Sequence, residues 1–168
     1  RCYQQRALAL LDAALERFSD SRNPGYFMTD EAMSTPVARR KEWFDNATPS
    51  GNSSLLHALS GASALTGEAR YAREIEALLP AYSDSAGKVA SGVAHALEAI
   101  ATHEMGIAVI HIRPGVDPEL LRAALAERPW RRTFVQLAAE NAPADYQLCL
   151  GMACRAPTND LEILLKEF

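Results

Sequence analysis

The chain is 168 residues long, carries a formal net charge of −4, and is 48% hydrophobic. With 23% charged residues, nine glycines and nine prolines, its composition excludes a disordered or fibrous protein. The acidic balance argues against nucleic acid as a partner, and the longest apolar run, Gly106–Ile112, is too short for a membrane helix. Three cysteines, an odd number, do not make a secreted disulfide scaffold. We therefore expect a soluble, cytoplasmic protein with one or two compact units.

The first third of the chain predicts one helix followed by irregular structure. Apolar residues recur at helical spacing over Tyr3–Phe18, and the helix is already under way at Arg1 without an N-cap, as expected for a piece of a longer chain. Asn23-Pro24-Gly25 ends this helix. The segment 25–30, rich in β-type residues, predicts a short β arm, and the polar segment 34–51 predicts a long ordered loop.

Three further helices follow at short intervals. One is predicted over Asn52–Leu65, and the next runs from Glu68 to about Leu79. Pro80 then separates the third helix from a fourth, whose apolar stripe lies between Val89 and Ile100. This alternation of helix and turn predicts an array of antiparallel helical hairpins over residues 1–104.

Residues 105–168 predict a small α/β unit. Near residue 105 the apolar residues change from helical spacing to the continuous run of a buried strand. At the other end of the unit, Asn159-x-x-Glu162 predicts a capping box at the start of the last helix. The predicted order is β-α-β-β-α, with a strand at Ile107–Ile112, a helix begun by Asp117-Pro118, and strands at Thr133–Leu137 and Tyr146–Leu150. The fold class is therefore mainly α, with helical hairpins followed by this unit.

The most distinctive stretch for chemistry is Lys41–Ser53. It places two aromatic residues, acidic residues, two amides and several hydroxyls in a loop that enters a helix N-terminus, which is the chemistry of a polyol or sugar site. Asp45 is the candidate catalytic carboxylate. The candidate substrate-binding residues are Trp43, Asn46, Ser50 and Asn52 on the loop, with Tyr26 and Asp30 on the preceding arm. The structural alternative is that the hydroxyls and amides cap the helix and the aromatics anchor the loop.

The four histidines give one candidate. His57 follows Asn52 by about one helical turn and is a candidate general base, although a lone histidine on a helix is more often simply hydrogen-bonded. His95, His103 and His111 have no metal-ligand spacing. The sequence therefore predicts no metal and no cofactor.

Cys149 and Cys154 form a C-x4-C pair at the end of a predicted strand. A redox pair, half of a zinc site and two packed thiols are all open interpretations. The spacing is not the C-x-x-C of thioredoxins, and no second Cys or His pair lies nearby in sequence.

Several runs together are characteristic of one family. They are, in chain order, Gly25-Tyr26-Phe27-Met28-Thr29, Arg40-Lys41, Asp45-Asn46-Ala47-Thr48-Pro49-Ser50-Gly51-Asn52-Ser53, Leu65-Thr66-Gly67, Cys149-x4-Cys154, Pro157-Thr158 and Asp160-Leu161-Glu162. They resemble the YyaL-like family, which includes spermatogenesis-associated protein 20 and is often described as thioredoxin-domain-containing. The resemblance covers essentially the whole chain, and the D-x-x-x-P-S-G-N run is its most specific part.

The resemblance implies a larger parent protein. Family members carry an N-terminal thioredoxin-like domain followed by an α/α toroid similar to six-hairpin glycosidases and N-acylglucosamine 2-epimerases. By this resemblance the chain is the C-terminal part, with helical hairpins from an incomplete toroid and the terminal α/β unit, and its natural partner is the missing N-terminal portion. The family's activity is unsettled, and carbohydrate metabolism is inferred from its fold. Toroids of this type bind ligands where loops precede the inner helices, which favours a role for Asp45, Asn46, Ser50 and Asn52.

Three hypotheses follow, and the enzyme status stays open. In the first, the parent modifies sugars, Asp45 acts as acid, base or hydroxyl clamp, Trp43 and Tyr26 stack on the sugar, and His57 is an optional proton carrier. The chain would not be a competent enzyme alone. In the second, it is a non-catalytic binding or scaffold module. In the third, Cys149 and Cys154 couple to the thioredoxin-like domain. An incomplete toroid would also expose apolar stripes and self-associate.

Overall fold

A computed structural model describes residues 2–33, 38–127, 132–151 and 153–167. Over these residues the structure is about 54% helical and has one small mixed sheet of four strands, which confirms the prediction of a mainly α chain. Two compact units are formed, one by Arg1–Ser63 with Glu68–Ala101 and the other by Ala64–Gly67 with Thr102–Phe168. Among the described residues, no helix combines the length and apolarity needed to cross a membrane.

The first unit is built on helices around one apolar core. Their bounds are Cys2–Phe18 (α1), Gly51–Thr66 (α2), Ala69–Val89 (α3) and Ala94–Met105 (α4), with a 3₁₀ turn at Ala90–Val93 between α3 and α4. The largest fully buried side chains of this core are Leu56, Leu59, Tyr71, Ile75, Leu78, Tyr82 and Val93. Burying such side chains contributes about 1.5–3 kcal/mol each relative to exposure, so this core holds the helices together.

The third helix continues through Pro80, and the predicted break there is wrong. Proline removes one backbone hydrogen bond from a helix, but Ile75, Leu78 and Tyr82 carry one buried face across Pro80. This shared burial offsets the cost of the proline, so α3 extends to Val89. The chain leaves the helix there, with Val89 at φ −145° and ψ 72°, and the 3₁₀ turn follows.

The β arm expected over residues 25–30 is absent, since the segment is irregular. Its backbone hydrogen bonds go to different neighbours: the Phe27 N–H donates to the Phe18 carbonyl at 2.8 Å, and the Met28 N–H donates to the Arg40 carbonyl at 2.8 Å. A strand needs one partner in register, which these scattered bonds do not supply. Of the loop expected over residues 34–51, the part from 38 to 50 is irregular as predicted, and residues 34–37 lie outside the described residues.

The described part of the second unit is a small sheet with two helices. Its elements are Ala108–Ile112 (β1), Pro118–Ala126 (α5), Thr133–Leu137 (β2), Tyr146–Leu150 (β3), Ala153–Cys154 (β4) and Leu161–Lys166 (α6). The strand order is β2-β1-β3-β4, with β1 parallel to β2 and antiparallel to β3. Alternate residues of β1, from Ala108 to Ile112, pack with Leu121, Leu148 and Leu164 in a second core. The two-residue strand β4 was not predicted.

The last helix is capped one residue later than predicted. The Asp160 carboxylate accepts hydrogen bonds from the backbone N–H groups of Glu162 and Ile163. The side chain of Asn159 accepts instead from the Asp145 N–H at 2.9 Å, which ties the helix start to the entry of β3. Asp117 caps α5 as the sequence predicts, by accepting from the Glu119 N–H at 2.9 Å.

Candidate functional site

The carboxylate of Asp45 joins two helix starts. Its Oδ1 accepts hydrogen bonds from the Ser50 N–H at 2.9 Å and from the Ser53 hydroxyl at 2.7 Å, at the N-terminus of α2. Its Oδ2 accepts from the backbone N–H of His95 at 2.9 Å, in the first turn of α4. Both helix ends present unpaired N–H groups and a partial positive charge, which a carboxylate stabilises.

These contacts set the charge state of Asp45. Burial acts to raise the pKa of Asp45, but the hydrogen bonds from Ser50, Ser53 and His95 favour the ionised form and hold the pKa below its usual value of 3.8. The group is therefore a carboxylate near neutral pH, with both oxygens engaged. This arrangement favours the helix-capping interpretation of Asp45, which the sequence left open beside the catalytic one.

The side-chain amide of Asn52 forms hydrogen bonds with backbone groups of the loop. It is 1% exposed, accepts from the Tyr26 N–H at 2.8 Å, and donates to the carbonyls of Tyr26 and Glu42 at 3.0 and 2.9 Å. The Tyr26 ring is buried, and its hydroxyl donates to the Glu74 carboxylate at 2.7 Å. Asn52 and Tyr26 therefore position the loop, and neither presents its polar groups to solvent.

The two aromatic residues of the loop have different environments. Trp43 packs edge-to-face against Tyr82, with ring centroids 5.3 Å apart, and closes over Gly25, so its ring anchors the loop. Phe44 is 45% exposed and its ring edge lies beside Gly92. Phe44, and not Trp43, is the aromatic surface available to a ligand at this loop.

The remaining loop residues divide in the same way. Ser50 is buried, and its hydroxyl accepts from the Ser53 N–H at 3.1 Å inside the first turn of α2. Asn46 is exposed, and its backbone N–H donates to the Thr48 carbonyl at 3.0 Å. Of the predicted binding residues on the loop, Asn46 alone offers its side chain to solvent.

Asp30 is held by other partners. It is 5% exposed, forms an ion pair with Arg17, and accepts from the Ala32 N–H at 2.9 Å. The hydrogen bond from Ala32 and the guanidinium of Arg17 hold the pKa of Asp30 below its usual range. The structure therefore uses Asp30 to fix the loop after α1 and does not bring it to Asp45.

His57 stands in a cluster that the sequence did not predict. Its Nε2 lies 2.9 Å from the His95 carbonyl oxygen and 3.2 Å from Oε2 of Glu98, and the two imidazole centroids are 4.0 Å apart. Nδ1 of His95 lies 3.7 Å from the same carboxylate oxygen. His95 and Glu98 share a face of α4 because they are three residues apart. That spacing was visible in the sequence, but the contact with His57 depends on how α2 packs against α4.

Two cavities border the segment 19–27, and the lining of neither includes Asp45, His57 or His95. One, of about 270 Å³, is lined by Tyr26 and Glu74 among others, and the second, of about 430 Å³, is lined by Phe27 and Arg39 among others. The Arg39 guanidinium lies 4.1 Å from the Phe27 ring centroid, and the Lys41 ammonium lies 5.1 Å from it. Because cations already contact this ring, it is a poor platform for stacking a sugar.

The cysteine pair belongs to the second unit. Cys149 and Cys154 face each other across β3 and β4 and form a disulfide. Cys149 is buried and Cys154 is exposed, so solvent reaches one side of the bridge. The interpretation as packed free thiols is therefore wrong for this state of the protein, and the thiolate ligands of a zinc half-site are absent.

No protein-family model matches the chain, and no curated protein shows significant similarity to it. Asp45 organises a loop on which Phe44 and Asn46 are exposed, and His95, whose backbone Asp45 holds, contacts His57 and Glu98. An apolar ring, an amide and an imidazole–carboxylate group are together suited to binding a polar, hydroxylated molecule.

Proposed function

We propose that the helical unit is a binding module for a sugar-like polyol within a carbohydrate-related protein, and that its hairpins belong to an α/α toroid. The proposal is supported by the resemblance to the YyaL-like family and by the polar loop that enters α2. Asp45 serves as a positioning residue in this proposal, and catalysis by the chain alone is not expected. The rest of the toroid would be the natural partner of these helices.

One observation carries the proposal. The Asp45 carboxylate fastens the loop to the first turns of α2 and α4, through Ser50, Ser53 and His95. The loop is thereby held with the Phe44 ring and the Asn46 amide facing solvent. A rigid aromatic face beside a hydrogen-bonding amide binds sugar rings at low conformational cost, because apolar C–H faces stack while hydroxyls pair with the amide.

The test is a titration of the isotopically labelled chain with a panel of monosaccharides, disaccharides and sugar alcohols, followed by backbone amide NMR shifts. Saturable shifts are expected at residues 44–53 and around His95. Phe44→Ala should abolish them, whereas Tyr3→Ala, which removes another exposed aromatic ring on α1, should leave them intact. Shifts that do not saturate, or that survive Phe44→Ala, would remove the polyol proposal and leave a protein partner as the occupant of this loop.

Acid–base catalysis is the second candidate, because Nε2 of His57 lies 3.2 Å from the Glu98 carboxylate. A carboxylate in this position can orient an imidazole and stabilise its protonated form during proton transfer. If the parent protein turns over a sugar, His57→Gln should lower kcat while the polyol shifts at Phe44 persist. Unchanged kcat in this variant would leave binding as the function of the loop.

A further inference from the structure

Three potential metal ligands converge on the helical unit. His57 lies on α2, and His95 and Glu98 lie one turn apart on α4. One potential ligand atom from each of the three residues lies within 4.8 Å of the other two. Some metal sites inside helical bundles use a Glu and a His at i,i+3 spacing, in the order Glu-x-x-His, with ligands from facing helices. His95 and Glu98 have the same spacing in the reverse order.

We propose that His57, His95 and Glu98 bind a divalent zinc ion. Zinc ligands in a tetrahedral site stand about 3.3 Å apart, since each Zn–N or Zn–O bond is roughly 2.0–2.2 Å long. The distances from Oε2 of Glu98 are 3.2 Å to Nε2 of His57 and 3.7 Å to Nδ1 of His95, close to that spacing. Two imidazoles and one carboxylate are a ligand set that zinc uses in catalytic sites.

The surroundings support the site. The Asp45 carboxylate accepts from the His95 backbone N–H at 2.9 Å, which fixes the start of α4 and therefore the backbone position of His95. The side chain of His57 is 13% exposed and that of His95 is 32% exposed, so packing limits their rotation. A partly preformed site loses less side-chain entropy when it binds an ion.

Metal binding requires one local change. Nε2 of His57 donates to the His95 carbonyl at 2.9 Å, so it carries the imidazole proton in this contact. When zinc binds, that proton moves to Nδ1 through solvent, and the ring turns from the carbonyl toward the Glu98 oxygen 3.2 Å away. The neutral imidazole then supplies its Nε2 lone pair to the ion, any second ring proton leaves to solvent, and the oxidation state of the ion does not change.

The proposed site lies at the protein surface. Glu98 is 66% exposed, so an ion bound to it would face solvent. Three protein ligands leave the fourth position of a tetrahedral zinc ion for water or a small molecule. Magnesium and calcium are poorer candidates, because they prefer oxygen ligands and higher coordination numbers. The inference goes beyond polyol binding and holds whether or not Phe44 contacts a sugar.

The experiment uses the intact chain with its disulfide, stripped of metal by a chelator and dialysed. Calorimetric titration with zinc chloride should give one ion per chain, and magnesium should not compete. Cobalt should give the visible absorption of a tetrahedral site, and zinc should remove it. Imidazole nitrogen NMR should locate the ion on Nε2 of His57 and Nδ1 of His95, which binding at any other group would not do.

Matched variants separate this site from adventitious binding. Glu98→Gln and His57→Gln should each weaken zinc binding by about 10-fold or more, since even an outer partner of a metal ligand changes affinity on that scale. Glu104→Gln and His103→Gln, on the same helix outside the cluster, should change nothing. Circular dichroism checks that each variant is folded. If His57→Gln does not fold, the test depends on Glu98→Gln, because Glu98 is exposed and its replacement should not disturb the fold. Absent zinc binding, or equal affinity in Glu98→Gln, would overturn the proposal.

Discussion

Asp45 accepts a hydrogen bond from the backbone N–H of His95, fifty residues along the chain, at 2.9 Å. The same carboxylate accepts from Ser50 and Ser53 on its other oxygen. One side chain therefore fixes both the loop before α2 and the first turn of α4. The candidate site depends on this contact, because His57 on α2 and His95 on α4 meet beside it.

Asp45→Asn should destabilise the chain by about 2 kcal/mol, the scale of hydrogen bonds to a charged group. The amide would turn an N–H group toward donors that now face an oxygen. Urea unfolding followed by circular dichroism measures the change. Asp84→Asn, at an exposed position on α3, is the control and should stay within about 0.5 kcal/mol of the native chain. Equal stabilities of the two variants would contradict the capping role.

The contribution of Asp45 to the free energy of unfolding should depend on pH. Its pKa in the folded chain lies below its usual value of 3.8, so the folded state favours the ionised form. The stabilisation is therefore complete above the unfolded pKa and is lost as the pH falls through the lower, folded pKa. The stability difference between the native chain and Asp45→Asn should be constant above about pH 5 and shrink below about pH 4. If the stability difference between the native chain and Asp45→Asn grew as the pH fell, the pKa of Asp45 would be raised on folding and not lowered.

Asn52→Ala should cost more than any other asparagine substitution in the loop. It would leave the Tyr26 N–H and the carbonyls of Tyr26 and Glu42 without the partners they have at 2.8–3.0 Å. We expect a loss of about 2–4 kcal/mol, since buried groups left unsatisfied cost roughly 1–3 kcal/mol each and some will relax. Asn46→Ala, at an exposed position, should change stability by less than about 0.5 kcal/mol. Thermal unfolding of both variants provides the comparison.

Two glycines should respond oppositely to alanine. Gly25 has φ +89°, and a Cβ there would overlap the Trp43 ring, so Gly25→Ala should destabilise by about 2 kcal/mol or more. Gly87 lies inside α3 with nothing within 4 Å of the added Cβ, so Gly87→Ala should stabilise by about 0.5–1 kcal/mol. Denaturant midpoints measure both. A destabilising Gly87→Ala would indicate that α3 is not helical at that residue.

The disulfide closes a short loop and should be reduced readily. Cys149 and Cys154 are only five residues apart, so the bridge closes a short loop and its removal in Cys149→Ser/Cys154→Ser should cost about 2 kcal/mol. Alkylation and mass spectrometry without reductant should label neither cysteine, and mild reductant should expose both, since Cys154 is accessible. Labelling of both cysteines in the untreated, folded protein would show that the pair is normally reduced.

Local patterns in the sequence predicted most elements. The strands Thr133–Leu137 and Tyr146–Leu150 match their predicted bounds, because a run of β-type residues between turns fixes a strand locally. The extension of α3 through Pro80 was missed, because burial of Tyr82 and its neighbours outweighs the local effect of proline. The β arm at 25–30 was mistaken because β-type residues there pack as a loop, with the Tyr26 amide bound by Asn52.

Local residue patterns were enough to predict the helical and strand periods, the polar loop before α2 and the residue types available for chemistry. The roles of these residues depend on packing, because each role needs a partner distant in the chain. Asp45 is a cap because His95 approaches it, and Asn52 is buried because Tyr26 crosses it. His57 and Glu98 lie on different helices and become neighbours only when α2 packs beside α4. The residue types along the chain do not specify that packing.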